Sequence, residues 1–358
     1  MNMRLKAFIA GVVGVSALTG TAVTGQAAPV AQKSQCAVAQ SIESIIDDSG
    51  SMGGTDPDKF RVTLQELLFT EAENSGKIEG AVEFGTDATT LFKPSPLGSG
   101  QFKPKDKLDV IRSRINADDG STNYDGAFTL GGQDHPNAMA RLFLTDGQPD
   151  SETNAYLAPR QKTYVIGFGG AIQGSNLAYL QKIAADTGGE VFTVASAFEL
   201  QLVAGRLNAR LNCQPEPKAF RYVFNRKGQT IRKKIAIKSK KTKKLELTVL
   251  FDNPSASVDL AGITVKRGKK LLRTTSKGKK FKKLKKKHKG LKKLKVKTVG
   301  KGTTFRRYRI TGLKKGKLTF GVKLKKLPTG LQTFGGKNKL PPGVQINAAS
   351  QFSLSNKK

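Results

Sequence analysis

Ile42-Glu43-Ser44-Ile45-Ile46-Asp47-Asp48-Ser49-Gly50-Ser51-Met52 is the stretch on which the reading of this 358-residue chain turns. Residues 42–47 read as a buried strand that ends at a turn. From there an aspartate and two hydroxyls recur at every second position, Asp47, Ser49 and Ser51, in a loop made pliable by Gly50. Three side-chain oxygens can therefore be turned toward one point. Oxygen-only ligands suit a hard cation, and few carboxylates with several neutral oxygens suit Mg²⁺, which keeps part of its water shell.

Working outward, strand and helix patterns alternate as far as Leu211. Asp56-Pro57 predicts an N-cap and a first-turn proline for a helix carrying Phe60, Leu64, Leu67 and Leu68 on one face. Further strands are expected over 80–84, 139–145, 163–168 and 190–195. Leu177, Leu180, Ile183 and Ala184 line a helix closed by Gly188-Gly189, and Leu200, Val203, Leu207 and Leu211 line the last one. This alternation predicts an α/β domain with a doubly wound, mostly parallel sheet. Two more oxygen-bearing segments then fall near the first. Gly120-Ser121-Thr122-Asn123 occupies a loop before a helix, and Thr145-Asp146-Gly147 follows a strand.

In these residues the chain resembles the von Willebrand factor type A family, whose metal-ion-dependent adhesion site reads Asp-x-Ser-x-Ser, then Thr, then Asp. The matching residues are Asp47, Ser49, Ser51, Thr122 and Asp146, and the resemblance covers roughly residues 38–212. It implies a Rossmann-like domain in which the two serines and the threonine bind the metal directly. The aspartates then bind it directly or through water, and a partner's carboxylate completes the coordination. Mg²⁺ is the expected ion, with Mn²⁺ the alternative. Asp47 and Asp146 neutralise a divalent cation and leave it Lewis acidic toward one further anionic oxygen. Asp48 would weaken that capture if it pointed toward the ion. The fold places such a site outside the carboxyl ends of the strands, where the strand order switches. No general base or nucleophile stands beside the ligands, so binding rather than catalysis is expected.

Composition narrows the alternatives. The chain has no Trp, two His (His135, His288) and two Cys (Cys36, Cys213), which leaves little material for histidine-based catalysis or Cys/His metal clusters. Through Pro217 there are 18 basic and 24 acidic residues, a charge of −6; from Lys218 onward there are 44 basic and 3 acidic, a charge of +41. Residues 1–27, with Arg4 and Lys6 before a weakly apolar stretch and a small-residue site at Ala27, read as a cleaved secretory signal peptide. A secreted, extracellular protein without a transmembrane anchor after cleavage is expected, held at a cell surface only by noncovalent contacts. Cys36 precedes the first strand and Cys213 follows the last helix, so the two sulfurs should meet at the pole opposite the metal. Oxidation outside the cell makes that pair a disulfide closing a long loop. Because the last helix slides in related adhesion domains, the resemblance implies that this crosslink restrains the motion.

The predicted organisation is a signal over 1–27, a linker over 28–40, the metal-binding domain over 41–213, a Pro-containing linker over 214–218 and a basic domain over 219–358. In the last, Leu245, Leu247, Val249 and Phe251 alternate with polar residues, as do Arg306, Tyr308 and Ile310, and Leu318, Phe320, Val322 and Leu324. This predicts an antiparallel β-sandwich, apolar inside and lysine outside. Lys279, Lys280, Lys282, Lys283, Lys285, Lys286, Lys287, Lys292 and Lys293 are its candidate polyanion contacts. A secreted protein would meet wall polymers, acidic polysaccharide or anionic lipid head groups there. The excess of Lys over Arg argues against sequence-specific nucleic-acid reading. The expected function is a secreted adhesion or interaction protein that grips a carboxylate on a protein partner through Mg²⁺. The competitors are a secreted metal-dependent enzyme and a cationic structural or antimicrobial protein with a vestigial metal site.

Overall fold

The computed structural model describes residues 36–98, 104–147, 149–169, 172–238, 242–252, 255–267, 270–274, 294–301, 304–313, 315–328, 331, 339–341 and 345–356. The signal segment and the lysines from Lys279 to Lys293 lie outside the described residues. Among the described residues, no helix is long and apolar enough to cross a membrane.

Six strands form the first sheet: β1 (Ser41–Asp47), β2 (Ile78–Phe84), β3 (Ala88–Pro96), β4 (Ala140–Thr145), β5 (Thr163–Phe168) and β6 (Glu190–Val194). Their order is β3-β2-β1-β4-β5-β6, and every pair is parallel except β2 with β3. β1 is buried along its whole length because both faces are covered. Ile42 and Ile46 enter one core, with α2 (Phe60–Phe69), α3 (Pro104–Arg114) and α6 (Ala197–Leu211). Ile45 enters the other, with α4 (Tyr124–Asp134) and α5 (Gly174–Thr187). The doubly wound, mostly parallel sheet expected from the alternation is thus formed.

Two local expectations are corrected. The edge strand β3 was not anticipated. The helix after the metal loop begins at Phe60 rather than at Pro57, preceded by a short α1 (Met52–Thr55) and by Lys59 in the left-handed region at φ 51°. Asp56 still caps it, from four residues away: its carboxylate accepts from the Phe60 amide at 2.6 Å and the Arg61 amide at 3.1 Å. The turn 56–59 lets the carboxylate reach the unpaired first amides without being the adjacent residue. At the other pole, the Ala39 amide donates to the Leu211 carbonyl at 2.9 Å, joining the start of β1 to the end of α6. Cys36 and Cys213 are both disulfide-bonded.

The second half is a sandwich of two antiparallel sheets. One comprises β8 (Thr230–Ile237), β10 (Ser257–Arg267), β11 (Lys270–Thr274) and β14 (Gly316–Lys326), in the order β11-β10-β14-β8. The other comprises β7 (Lys218–Phe224), β9 (Thr242–Phe251), β12 (Lys295–Lys301), β13 (Phe305–Thr311) and β15 (Ile346–Asn356), in the order β12-β13-β9-β15-β7. The alternating residues read from the sequence fill the space between the sheets. Lysine covers the outer face of the four-stranded sheet, where Lys234, Lys317 and Lys325 are exposed.

The middle of the outer face of the five-stranded sheet does not face water, while its edge strands carry the exposed Arg221, Lys295 and Lys297. Leu250 of β9 and Phe305 join the core of the α/β domain, against α2 and α6. Arg307, fully buried, donates to the Leu67 carbonyl at 3.0 Å and Thr70 Oγ1 at 3.0 Å, and pairs with Glu71 at 2.7 Å. Gln201 Nε2 on α6 donates to Gln351 Oε1 on β15 at 2.6 Å. A Cβ on Gly205 would stand 1.3 Å from Gln351 Nε2, so this mid-helix glycine exists to admit the Gln351 side chain. The expectation of a lysine-clad exterior is therefore wrong for the middle of this sheet. Glu246, Thr248, Leu250, Ala349 and Gln351 carry no lysine because they are an interface.

Candidate metal centre

The loops at the carboxyl ends of β1 and β4, adjacent strands at the switch in order, carry Asp47, Ser49, Ser51 and Asp146. Asp47 is fully buried at the end of β1. Its Oδ1 accepts from the Ser49 amide at 2.9 Å and from Ser49 Oγ at 2.5 Å. Ser49 Oγ lies 3.1 Å from Ser51 Oγ, so the three oxygens inferred from the every-second-residue spacing do converge. Ser51 is exposed, which leaves the open side of the group toward solvent.

Asp146, just beyond β4, is 5% exposed. Thr55 Oγ1 stands 3.0 Å from Asp146 Oδ2 and 3.1 Å from the Ser51 carbonyl, so its single proton is shared between the two loops. Asp146 Oδ1 is buried without a hydrogen-bond partner among the described residues. Thr122 lies on the third loop, which the Gly50 amide holds by donating to the Gly120 carbonyl at 3.2 Å. Thr122 is buried, and its backbone is fixed by Asp150: the Thr122 amide donates to Asp150 Oδ2 at 3.1 Å and the Asp150 amide to the Thr122 carbonyl at 3.0 Å.

The electrostatics fit a cation. Burial pushes the Asp47 carboxyl up to about 6, against the hydrogen bonds from Ser49 and Thr145, and the nearby charge of Asp146 pushes the same way. Two buried carboxylates in mutual repulsion, one with an orphaned oxygen, are the arrangement a hard divalent ion relieves. Asp47, Ser49, Ser51, Thr122 and Asp146 are the residues that could hold it.

Asp48 does not compete for that position. Its Oδ1 accepts from the Ala117 amide at 2.7 Å and from Arg61 Nη2 at 3.2 Å. Arg61 is fully buried and also pairs with Asp56 at 3.0 Å, so the Asp48 charge is spent beneath the site. The concern that Asp48 would weaken ligand capture is thereby removed.

Three supporting residues escaped the sequence reading. Thr145 Oγ1 donates to Asp47 Oδ2 at 2.6 Å and is itself 2.6 Å from the Tyr124 hydroxyl. Thr55 orients Asp146 as described. Thr145 could have been found as the last residue of the strand that delivers Asp146; nothing in the pattern marks Tyr124 or Thr55. Of the remaining candidates, the nine lysines proposed as polyanion contacts lie outside the described residues.

No family model matches the sequence, and no curated protein matches it. Solved structures of von Willebrand factor type A domains are similar to it. One from Catenulispora acidiphila shares 14% identity at a TM-score of 0.40 over 90% of this chain, which spans 63% of that protein. The manganese-loaded TRAP protein of Plasmodium vivax shares 23% at a TM-score of 0.33, covering 41% of this chain and 64% of its own. Proximal thread matrix protein 1 from the mussel byssus shares 18% at a TM-score of 0.39, covering 54% of this chain and 50% of its own.

Proposed function

We propose that this is a secreted adhesion or interaction protein that holds Mg²⁺, or alternatively Mn²⁺, on Asp47, Ser49, Ser51, Thr122 and Asp146 and uses it to grip a carboxylate of a protein partner. The observation that carries the reading is the unpartnered, buried Asp146 Oδ1 beside the Asp47–Ser49–Ser51 oxygen cluster. Two aspartates neutralise the ion, and the exposed Ser51 edge leaves room for one more anionic oxygen. Asp47 and Asp146 are committed to the ion, and Asp48 and Asp56 to Arg61. These four carboxylates are thereby occupied by the ion and by Arg61, which favours binding over turnover. The basic sandwich supplies a second, electrostatic contact with an anionic wall polymer, polysaccharide or lipid surface, without reading a nucleic-acid sequence.

The test is calorimetric titration of the chelated protein with Mg²⁺ and Mn²⁺, followed by pull-down from the medium and surface of the producing cells. One ion per chain, lost in Asp47→Ala, and a partner released by chelator and restored by Mg²⁺ are expected. Absence of ion uptake by the folded protein would sink the proposal.

A further inference from the structure

The outer face of the four-stranded sheet carries its charge in a regular pattern. Four consecutive cross-strand pairs of β8 and β14 point outward there: Thr230 with Lys323, Arg232 with Gly321, Lys234 with Thr319, and Ala236 with Lys317. Each pair sets one cation opposite one small neutral residue. Between them Ile235, Leu318, Phe320 and Val322 turn into the core of the sandwich. Lys233 turns inward as well, its ammonium 5.8 Å from the centre of the Phe220 ring. Lys325 continues the row on β14 and pairs with Asp259, which also stands opposite Lys323. Of the other two acids after residue 218, Glu246 lies in the interface with the α/β domain and Asp252 follows the end of β9. The face thus holds five cations against one acid, and Arg232, Lys234, Lys317 and Lys323 have no ion-pair partner among the described residues.

Alternate residues of a strand are about 7 Å apart and neighbouring strands about 4.8 Å. Single positive charges therefore follow one another at about 7 Å along the sheet, over a floor of Thr230, Ala236, Thr319 and Gly321. No two of them stand directly opposite, which keeps their repulsion small. Protection of a free edge would call for lysine on β8, but Lys317 and Lys323 stand on β14, which has a neighbour on each side. A linear polyanion with one charge per repeat of that length matches the row. A phosphate polymer of a three-carbon polyol has as many backbone bonds from one phosphorus to the next as a polypeptide has between alternate residues, so the two periods agree when both are extended. Among the described outward residues none is aromatic, so bases and sugar rings find no stacking platform. None is a large apolar side chain that could enter a bilayer.

Resting on the polyanion contact proposed above, we infer that the outer face of β8 and β14 seats a linear polyol phosphate, one phosphate to each cation of the row, with the polyol lying over the small residues between them. The contact then includes residues well separated in the chain from the nine lysines between Lys279 and Lys293.

The full chain, kept in chelator so that no metal-held contact contributes, is titrated with synthetic poly(glycerol phosphate), oligothymidylate, a sulfated polysaccharide and anionic vesicles at equal concentrations of charge. Arg232→Gln/Lys234→Gln should bind the polyol phosphate about tenfold more weakly at physiological salt and flatten its log–log salt dependence by about 1.4. Lys317→Gln, one contact fewer, should lose about fourfold. Lys295→Gln/Lys297→Gln, exposed on the edge strand β12 of the other sheet, removes the same charge and should cost no more than about twofold. Wild-type melting temperatures establish that each variant is folded. Equal losses in the two double variants, or no loss in Arg232→Gln/Lys234→Gln, overturn the inference and leave a diffuse polyanion contact standing. Tighter binding of oligothymidylate, sulfated polysaccharide or vesicles than of the polyol phosphate overturns the ligand class. If the unaltered protein binds none of the four, both readings fall together.

Discussion

Replacing a glycine inside a helix by alanine ordinarily stabilises a protein by about 1 kcal/mol. At Gly205 the opposite outcome is expected. The new methyl would stand 1.3 Å from Gln351 Nε2, 2.2 Å from its Cδ and 2.5 Å from its Oε1, so the Gln351 side chain must leave. Its departure breaks the 2.6 Å bond from Gln201 and leaves two amides, 2% and 8% exposed, without each other. Losing that bond with partial loss of satisfaction costs about 2–3 kcal/mol. Against the helical gain of about 1 kcal/mol, the net is a destabilisation of about 1–2 kcal/mol. In a Gln351→Ala background the obstruction is gone, and Gly205→Ala should stabilise by the ordinary amount. The assay is urea unfolding of the four proteins of the cycle, followed by far-ultraviolet circular dichroism, and the expected coupling between the sites is about 2–3 kcal/mol. If Gly205→Ala changed stability by the same amount in both backgrounds, the close approach of β15 to α6 would be refuted.

Three further outcomes follow from the site and the interface. Saturating Mg²⁺ at about 100 times its Kd should stabilise the protein by about 2.7 kcal/mol, read as a rise in Tm, and Asp47→Asn or Asp146→Asn should abolish the rise. Because burial holds Asp47 up to about 6, and its protonated form cannot bind the ion, Mg²⁺ affinity should be nearly constant above pH 7 and fall about tenfold per unit below 6. The sign is also that of the metal-free fold. A carboxyl raised in the folded state favours folding at low pH, so the Mg²⁺-induced rise in Tm should be larger at pH 7.5 than at pH 5. Arg307→Met should cost about 3–5 kcal/mol by leaving Glu71 without its cation. That loss should shrink at pH 5, because burial already pushes Glu71 up to about 7.

Much of this architecture is legible in the sequence, for identifiable reasons. β1, β4 and β5 lie inside the sheet with both faces covered, so they read as short apolar runs and sit within a residue or two of where the pattern puts them. β3 escaped because an edge strand need not be apolar. Its Lys93, Pro94 and Pro96 are residues that a central strand disfavours. The ligand group was visible through its spacing, since alternate residues of one loop can face one point, whereas Thr145, Thr55 and Tyr124 act through tertiary contacts that leave no periodic trace. The orientation of Asp48 was undecidable from its place between two ligands. Arg61, thirteen residues on, and the Ala117 amide on a distant loop determine which way it turns. The hidden face of the five-stranded sheet misled because half-polar alternation looks the same whether the polar half meets water or another domain.

That hidden face makes the linker between the two halves a boundary in the chain but not in the energetics. α2 and α6 pack in one hydrophobic cluster, which Leu250 and Phe305 join from the other half of the chain. Cutting near residue 215 and expressing the first half alone would strip the cover from both helices and strand Glu71 beside an empty seat. The two halves should accordingly melt as one cooperative unit, and a protease nick in the linker should leave the fragments associated until denaturant separates them.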